Sequence, residues 1–358
     1  MTPKFHTLKI SDIRQETDDC VSVAFAVPQE LNKDYQFIQG QYLTLKTQIN
    51  AEEVRRSYSI CASPLDNELR VAIKRVKEGL FSNYANDNFK IGDSIDVMTP
   101  MGKFYTELKE DNAKNYLAFA GGSGITPMLS IMKTVLLTEP NSRFTLLYGN
   151  QNRNTIIFKE LIEGIKNQFM QRLRVYHILS NEITDVPLLS GLMTKEKCGE
   201  FFQKLIDLSN IDECFICGPE PMMDSVEAAL QDAKMDTQKV HIERFTPSTN
   251  LKPKTEKVET ADAEMVSSVS VQLDGVVFDL KVKYGGESIL DAALKAGADL
   301  PFACKGGVCC TCRAKVIEGE VHMDVNYALE KDEVAQGFVL TCQSHPKTEK
   351  VFIDFDVR

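Results

Sequence analysis

Apolar and polar positions change their period twice along this chain. Up to about residue 110 the apolar residues come in short runs that alternate with polar ones or carry β-branched and aromatic side chains. Examples are "VSVAFAV" (21–27), "QYLTLKT" (41–47), "RRSYSI" (55–60) and "LRVAIKRV" (69–76), with turn signals between them. A period of two predicts a small antiparallel barrel or sandwich. From Tyr116 the pattern becomes apolar strand, turn and amphipathic helix, repeated: "YLAFA" before 127–137, "RFTLLYG" before a helical run near Phe158, "RLRVYHILS", and "CFICG" before 221–233. Strands alternating with helices predict a parallel sheet with crossover helices.

The segment "TPSTNLKPKTEKVETADAEM" (246–265) is almost without apolar residues. It buries too little to order itself and is expected to be an interdomain linker. After it, "SVSVQL" and "VVFDLKV" predict a hairpin through Asp274-Gly275, and "SILDAALKAG" a short helix ended by Gly297. The pattern therefore predicts a multidomain chain. It has an antiparallel β-barrel at 1–110, an α/β domain at 111–245, the linker at 246–265 and a small α+β domain at 266–358.

A length of 358 residues suits two or three domains. No apolar run approaches the roughly 20 residues of a membrane helix, and the first residues lack a secretory pattern, so a cytoplasmic protein is expected. The formal charge of −10 argues against nucleic acid as a partner. Cysteine usage changes the picture more. There are ten, half of them after residue 300. In a reducing compartment this crowding favours a metal or cluster site over five disulfides.

In "CKGGVCCTC", Cys304, Cys309 and Cys312 make C-x4-C-x2-C, and "LTCQSHP" supplies Cys342 as a fourth thiol. This is the plant-type 2Fe-2S spacing. The loop has to wrap a cluster with its backbone N–H groups turned toward sulfur, and Gly306 and Gly307 permit that. Zinc more often takes two separated C-x2-C pairs, and this C-terminal cluster holds only one. Cys310 is surplus: used in place of Cys309 it would give C-x5-C-x1-C, so it is expected to be a small, partly buried thiol.

"CKGGVCCTCRAKV" with the distal "LTCQ" resembles the C-terminal plant-type ferredoxin domain of the reductase components of multicomponent oxygenases. These are built on the ferredoxin–NADP reductase fold, and the resemblance extends over nearly the whole chain. The doubled cysteine is shared with the branch whose oxygenase acts on ring-activated aromatic CoA thioesters. "RRSYSI" resembles the family's flavin motif. This implies Arg56 at the pyrophosphate, Tyr58 packed on the ring and Ser59 near N5, with Ser57 also among the cofactor-binding residues. "GLFSNY" resembles the flavin-phosphate turn, with Gly79, Phe81 and Ser82; "GQY" (40–42) and "PMGKF" (100–104) stand where the family has barrel and flavin-edge loops.

"GGSGITP" lacks the full G-x-G-x-x-G pattern but resembles the family's nicotinamide turn. Gly121, Gly122 and Gly124 are expected to let the backbone approach a pyrophosphate, with Thr126 as N-cap and Pro127 opening the helix. "CGPEPMM" resembles its companion: Cys217 near the nicotinamide, Gly218 and Pro219 turning the chain, Met222 starting a helix. Cys214 and Cys217 form a C-x-x-C, but three positions apart on a strand they should face opposite ways. In "HIERFTP" the resemblance implies Glu243 and Phe245 at the flavin, and Arg153 is a candidate for a 2′-phosphate.

The implied catalytic set is thus Ser59, Cys217, Glu243 and Phe245. The implied cofactors are FAD rather than FMN, a 2Fe-2S cluster, and NADPH ahead of NADH. The implied function is transfer of electrons from NADPH through flavin and cluster to an oxygenase component. Free in solution the chain is expected to be a monomer or weak oligomer. From Asp262 onward there are ten Lys or Arg against sixteen Asp or Glu, which suits docking on a basic partner. The other readings are a stand-alone reductase for a desaturase or hydroxylase, and a non-catalytic redox-sensing or binding module.

Overall fold

The computed structural model describes residues 3–245 and 265–357. The expected linker lies outside the described residues except for Met265. Two compact units are present, one spanning His6–Glu243 and a second made of the described residues from Arg244 onward together with those before His6.

In the first unit, β1 (Phe5–Thr17), β2 (Cys20–Ala26), β3 (Tyr42–Ile49), β4 (Glu52–Ser59), β5 (Leu69–Lys74) and β6 (Ser94–Met98) form a sheet of order β4-β3-β6-β1-β2-β5. A bridge between Ile60 and Val71 joins its two ends, which closes the sheet and removes its edges. Leu8, Ile10, Val23, Leu43, Leu45, Val71, Ile73 and Val97 fill the interior. Each such side chain contributes about 1.5–3 kcal/mol on burial. Helix α1 (Leu80–Asn88) covers the barrel with Phe81 and Ala85.

The same unit holds a parallel sheet of β7 (Asn115–Gly121), β8 (Arg143–Asn150), β9 (Leu173–Leu179), β10 (Glu213–Cys217) and β11 (Val240–Glu243), ordered β11-β10-β7-β8-β9. Helices α2 (Ile125–Thr138), α3 (Lys159–Gln168), α4 (Lys195–Lys204) and α5 (Glu220–Asp232) accompany it. Both faces are covered, which is why β7 and β10 read as unbroken apolar runs. Phe215 and Cys217 lie in the cluster with Met128, Leu129 and Met132 of α2, whereas Cys214 and Ile216 lie in the one with Phe201 and Val226. Cys214 and Cys217 therefore belong to opposite faces.

Three local expectations need correction. Helix α2 starts at Ile125, because Gly122–Gly124 already form a 3-10 turn leading into it. Thr126 is consequently not the N-cap; its hydroxyl donates to the Ser123 carbonyl (3.0 Å), and Pro127 is the third helical residue. Helix α5 begins at Glu220 rather than Met222, with Pro219 as its N-cap. Helix α4 had no counterpart in the sequence reading; Thr194 caps it by accepting the Lys197 N–H (3.3 Å).

Polar contacts join barrel and parallel sheet within the unit. Ser130 Oγ donates to the Ala62 carbonyl (2.7 Å), Ser63 Oγ lies 2.9 Å from Thr134 Oγ1, and Lys133 pairs with Asp66 at 2.5 Å. Fully buried Glu139 accepts from Tyr116 Oη (2.9 Å), Ser142 Oγ (2.7 Å) and Asn112 Nδ2 (2.6 Å). A buried carboxylate is tolerated when its lone pairs are filled in this way.

In the second unit, β12 (Val266–Leu273) and β13 (Val276–Lys283) form the expected hairpin, with Asp274 (φ 49°) and Gly275 (φ 75°) both left-handed as a tight two-residue turn requires. Helix α6 (Ile289–Lys295) follows, then β14 (Arg313–Glu318), β15 (Val321–Met323), α7 (Lys331–Ala335), β16 (Phe338–Leu340), β17 (Ser344–Pro346) and β18 (Lys350–Asp354). The main sheet runs β13-β12-β18-β14-β16, and β15 pairs with β17. No helix among the described residues is long and apolar enough to cross a membrane.

Candidate redox sites

Strand β4 delivers the flavin motif. Arg56 is exposed, and its guanidinium donates to the Arg55 carbonyl (2.7 Å). Its neighbour Arg55 is buried and paired with Glu53 at 2.7 Å, so the two arginines are not equivalent. The Tyr58 ring lies 5.7 Å from that of Phe81, tilted by 41°. Ser57 turns its hydroxyl to Thr44 Oγ1 on β3 (3.1 Å). Ser59 is buried, and its hydroxyl donates to Glu243 Oε2 (3.2 Å) at the end of β11. Glu243 stands opposite Cys217 in the parallel ladder. Three of the four expected catalytic residues are thereby brought together from β4, β10 and β11. Phe245, 40% exposed, lies beyond the end of this unit and is not among them.

Desolvation governs the protonation of this group. Burial pushes the Glu243 carboxyl up to about 8, the Ser59 hydroxyl offsetting only part of it. Burial, and then the Glu243 charge, push the Cys217 thiol well above its ordinary value. A neutral carboxyl beside a hydroxyl can hold or pass a proton, and a thiol this high stays uncharged.

The "GLFSNY" turn opens α1 with Gly79 as N-cap. Ser82 is buried and does not point outward: its Oγ accepts the Val76 N–H (3.1 Å). A Cβ on Gly79 would sit 2.6 Å from that oxygen, so the glycine makes room for the serine. Gly79 offers α1 no side-chain cap, so the first-turn N–H groups are of the kind that can take an anion. The "GQY" and "PMGKF" segments pair with each other, Tyr42 N–H donating to the Met101 carbonyl (2.7 Å) and Met101 N–H to that of Tyr42 (3.0 Å).

The two nicotinamide motifs meet backbone to backbone. A Cβ on Gly124 would lie 2.1 Å from the Cys217 carbonyl oxygen, and one on Gly121 2.6 Å from Pro219 Cδ and 2.8 Å from Met222 Sδ. These glycines make room for the contact between the two turns. Gly122 differs: it is left-handed (φ +51°), and only Lys74 Nζ comes near, 3.8 Å from where its Cβ would be. Lys74 also sits 3.5 Å from Asp19. No motif marks this lysine in the sequence, although it ends the strand before "GLFSNY". Arg153 is exposed, and its Nε lies 3.5 Å from Glu182 Oε1. A cavity of about 890 Å³ opens among Arg14, Glu68, Arg70, Lys133, Arg153 and Phe158, and neither Ser59 nor Cys217 lines it.

The cysteine loop gathers its thiols. Cys309, Cys312 and Cys342 are buried, while Cys304 and Cys310 are half-buried. Cys309 Sγ and Cys304 Sγ lie 3.2 Å apart, and the Gly306 N–H donates to Cys304 Sγ (3.3 Å). Hydrogen bonds from the Cys309 and Cys342 thiols hold Cys304 well below the usual thiol range; the same bonds push Cys309 and Cys342 up. Gly307 (φ +72°) is irreplaceable on two grounds, since a Cβ there would also lie 2.9 Å from the Val325 carbonyl oxygen. Among the described residues no group of three or more His, Cys, Asp or Glu is spaced to hold a single metal ion. Soft thiolates held in a glycine-bearing loop with an N–H directed at sulfur do fit an iron–sulfur cluster.

The comparisons agree with this division of labour. Residues 7–105 match the family profile described as oxidoreductase FAD-binding domain, 119–228 the oxidoreductase NAD-binding domain, and 271–347 the 2Fe-2S iron-sulfur cluster binding domain. The chain is 45% identical to one of the subunits of 1,2-phenylacetyl-CoA epoxidase from Escherichia coli (strain K12), over 99% of this chain and 98% of that one. It is 32% identical to the ferredoxin reductase component of 3-ketosteroid-9-alpha-monooxygenase from Rhodococcus rhodochrous, over 97% and 96%. Its fold matches phthalate dioxygenase reductase with a TM-score of 0.58 and 24% identity, over 98% of each chain. The chain belongs to the family of NAD(P)H-dependent reductase components of multicomponent oxygenases, which join FAD-binding, NAD-binding and 2Fe-2S domains in one polypeptide.

Proposed function

We propose that this reductase takes its electrons from NADPH and delivers them to an oxygenase complex that epoxidises the ring of phenylacetyl-CoA or a closely similar aromatic CoA thioester. The acceptor is inferred from the name of the Escherichia coli relative, and the extent of the identity supports carrying it over. The electron path rests on one observation above all, the meeting of Ser59, Glu243 and Cys217 in a single compact unit.

FAD, when bound, converts a two-electron hydride donor into a one-electron supply for the cluster. The chain's own residues do the rest. Arg56 and the first-turn N–H groups of α1 hold phosphate; Tyr58 and Phe81 give the ring an apolar bed. Lys74 and Gly122 receive the anionic part of the dinucleotide. Ser59 and Glu243 hold a proton at Oγ and Oε2 beside the reacting edge. Buried Cys217 keeps water from it. Cys304, Cys309, Cys312 and Cys342 hold the irons. The acidic second unit docks on a basic patch of the oxygenase, and the free chain is a monomer or weak oligomer.

The test is reconstitution. Purified protein, loaded with FAD and cluster, is mixed with the oxygenase components of the epoxidase and phenylacetyl-CoA, and product is measured with NADPH or NADH. The proposal requires product, with NADPH the better donor. Rapid flavin and cluster reduction without product would remove the proposed acceptor and leave the reductase assignment standing.

A further inference from the structure

Gln343 follows the distal cysteine, and the thiol spacing alone gives it no part. Its side-chain amide nevertheless reaches two ligand-bearing segments at once. Nε2 donates to the Lys305 carbonyl (3.0 Å), inside the Cys304 loop, and stands 3.6 Å from Cys342 Sγ and 3.0 Å from the Cys342 carbonyl. An amide nitrogen carries two hydrogens. One serves Lys305, and the other is shared between the oxygen and sulfur of Cys342.

The surroundings hold this amide in place. The Gln343 main-chain carbonyl accepts the Asp324 N–H (2.9 Å), and the side-chain Cγ lies 3.3 Å from where a Cβ on Gly307 would be. Lys305 is left-handed (φ 49°), and its Nζ is held by Asp291 (2.7 Å) and lies 4.8 Å from the centre of the Phe302 ring. Tyr327 N–H fixes the next carbonyl but one, that of Gly307 (3.0 Å). Neither partner of the Gln343 amide is free to drift from it.

We propose that Gln343 is a positioning residue for the iron–sulfur site, tying the Cys304 loop to Cys342 and donating an N–H to the Cys342 sulfur so that the cluster's reduction potential is raised. This rests on the four-thiol assignment above. Reduction adds negative charge to the thiolate-bound irons, and a donor fixed beside sulfur stabilises the reduced form more than the oxidised. Being uncharged at every working pH, the amide does this without a pH dependence of its own.

The experiment compares the full chain with Gln343→Met, which keeps the volume and loses the donor, and Gln343→Glu, which puts a carboxylate against sulfur and carbonyl. Iron content is checked first, and the potential is then followed by EPR during redox titration. Gln343→Met should lower the one-electron reduction constant about threefold, roughly 30 mV at about 59 mV per decade. Gln343→Glu should fall further and vary with pH. A Gln343→Met protein with parental iron content and an unchanged potential overturns the proposal. Should that variant not take up iron, the unmutated protein decides: with glutamine labelled by 15N, the reduced cluster should show a weak 15N hyperfine coupling, and its absence overturns the proposal. An unmutated protein that holds no cluster would overturn the four-thiol assignment itself, and this inference with it.

Discussion

Gly124 and Gly122 stand two positions apart in one turn, yet the structure demands glycine there for different reasons, and Gly124→Ala tests that distinction. A Cβ at 124 would lie 2.1 Å from the Cys217 carbonyl oxygen, 2.5 Å from its carbon and 2.9 Å from Gly218 N. All three atoms are backbone, so no rotamer can relieve the clash; the two turns must separate by about 1 Å. Overpacking costs about 1–3 kcal/mol where side chains can give way, and a rigid backbone puts this case at about 3 kcal/mol or more. For a unit of this size, about 2–4 °C is lost per kcal/mol, so Tm should fall by about 6–12 °C. Gly122→Ala meets open space apart from Lys74 Nζ, at 3.8 Å. It carries only the left-handed penalty, about 1–2 kcal/mol, or roughly 2–8 °C. Thermal unfolding by circular dichroism, with KM for NADPH measured alongside, separates the two. The reasoning is refuted if Gly124→Ala melts within about 2 °C of the parent, or if Gly122→Ala proves the more damaging.

Four further outcomes are expected. Cys309→Ser should lose the visible iron–sulfur bands and keep NADPH-driven flavin reduction, whereas Cys310→Ser should keep both; cluster loss in the second would mean that the ligand was misassigned. Glu243 binds its proton more tightly folded than unfolded, so between its unfolded value of 4.5 and about 8 it makes stability fall as pH rises. Denaturant titrations should find Glu243→Gln more stable than the parent by on the order of 1–3 kcal/mol at about pH 9, with the gain vanishing toward about pH 4. Arg153→Ala should raise KM for NADPH several-fold more than KM for NADH, as steady-state kinetics can establish; equal effects would reduce Arg153 to the partner of Glu182. Glu139→Ala would strand the Tyr116, Ser142 and Asn112 donors in the interior. It should destabilise the first unit by at least about 3 kcal/mol in urea unfolding, at about 1–3 kcal/mol for each buried group left unpaired.

Several features of this protein are local enough to be written in the sequence alone. Alternation along "QYLTLKT" marks an antiparallel strand and unbroken apolar runs such as "YLAFA" a parallel one, because side-chain period follows from the backbone; that Tyr42–Leu45 are nevertheless all buried is not written in the alternation. The opposite facing of Cys214 and Cys217, the Asp274-Gly275 turn and the C-x4-C-x2-C loop are local for the same reason. The boundaries of α2 and α5 were less legible, since a 3-10 turn before one and a proline at the start of the other shift the first helical residue by two.

Tertiary structure alone decided what the motif residues do. That Gly124 yields to the Cys217 carbonyl, that Ser82 turns inward to Val76, that Lys74 stands over Gly122 and that Arg153 lies beside Glu182 are all facts about neighbours in space. The Ser59–Glu243 bond spans 184 positions, and the Gln343 bond to Lys305 spans 38. Spacing and periodicity record only what lies within a few residues along the chain. Whether a serine meets a glutamate from the far end of the same unit depends on how strands are ordered in two sheets, and that order is settled when their apolar faces are buried together.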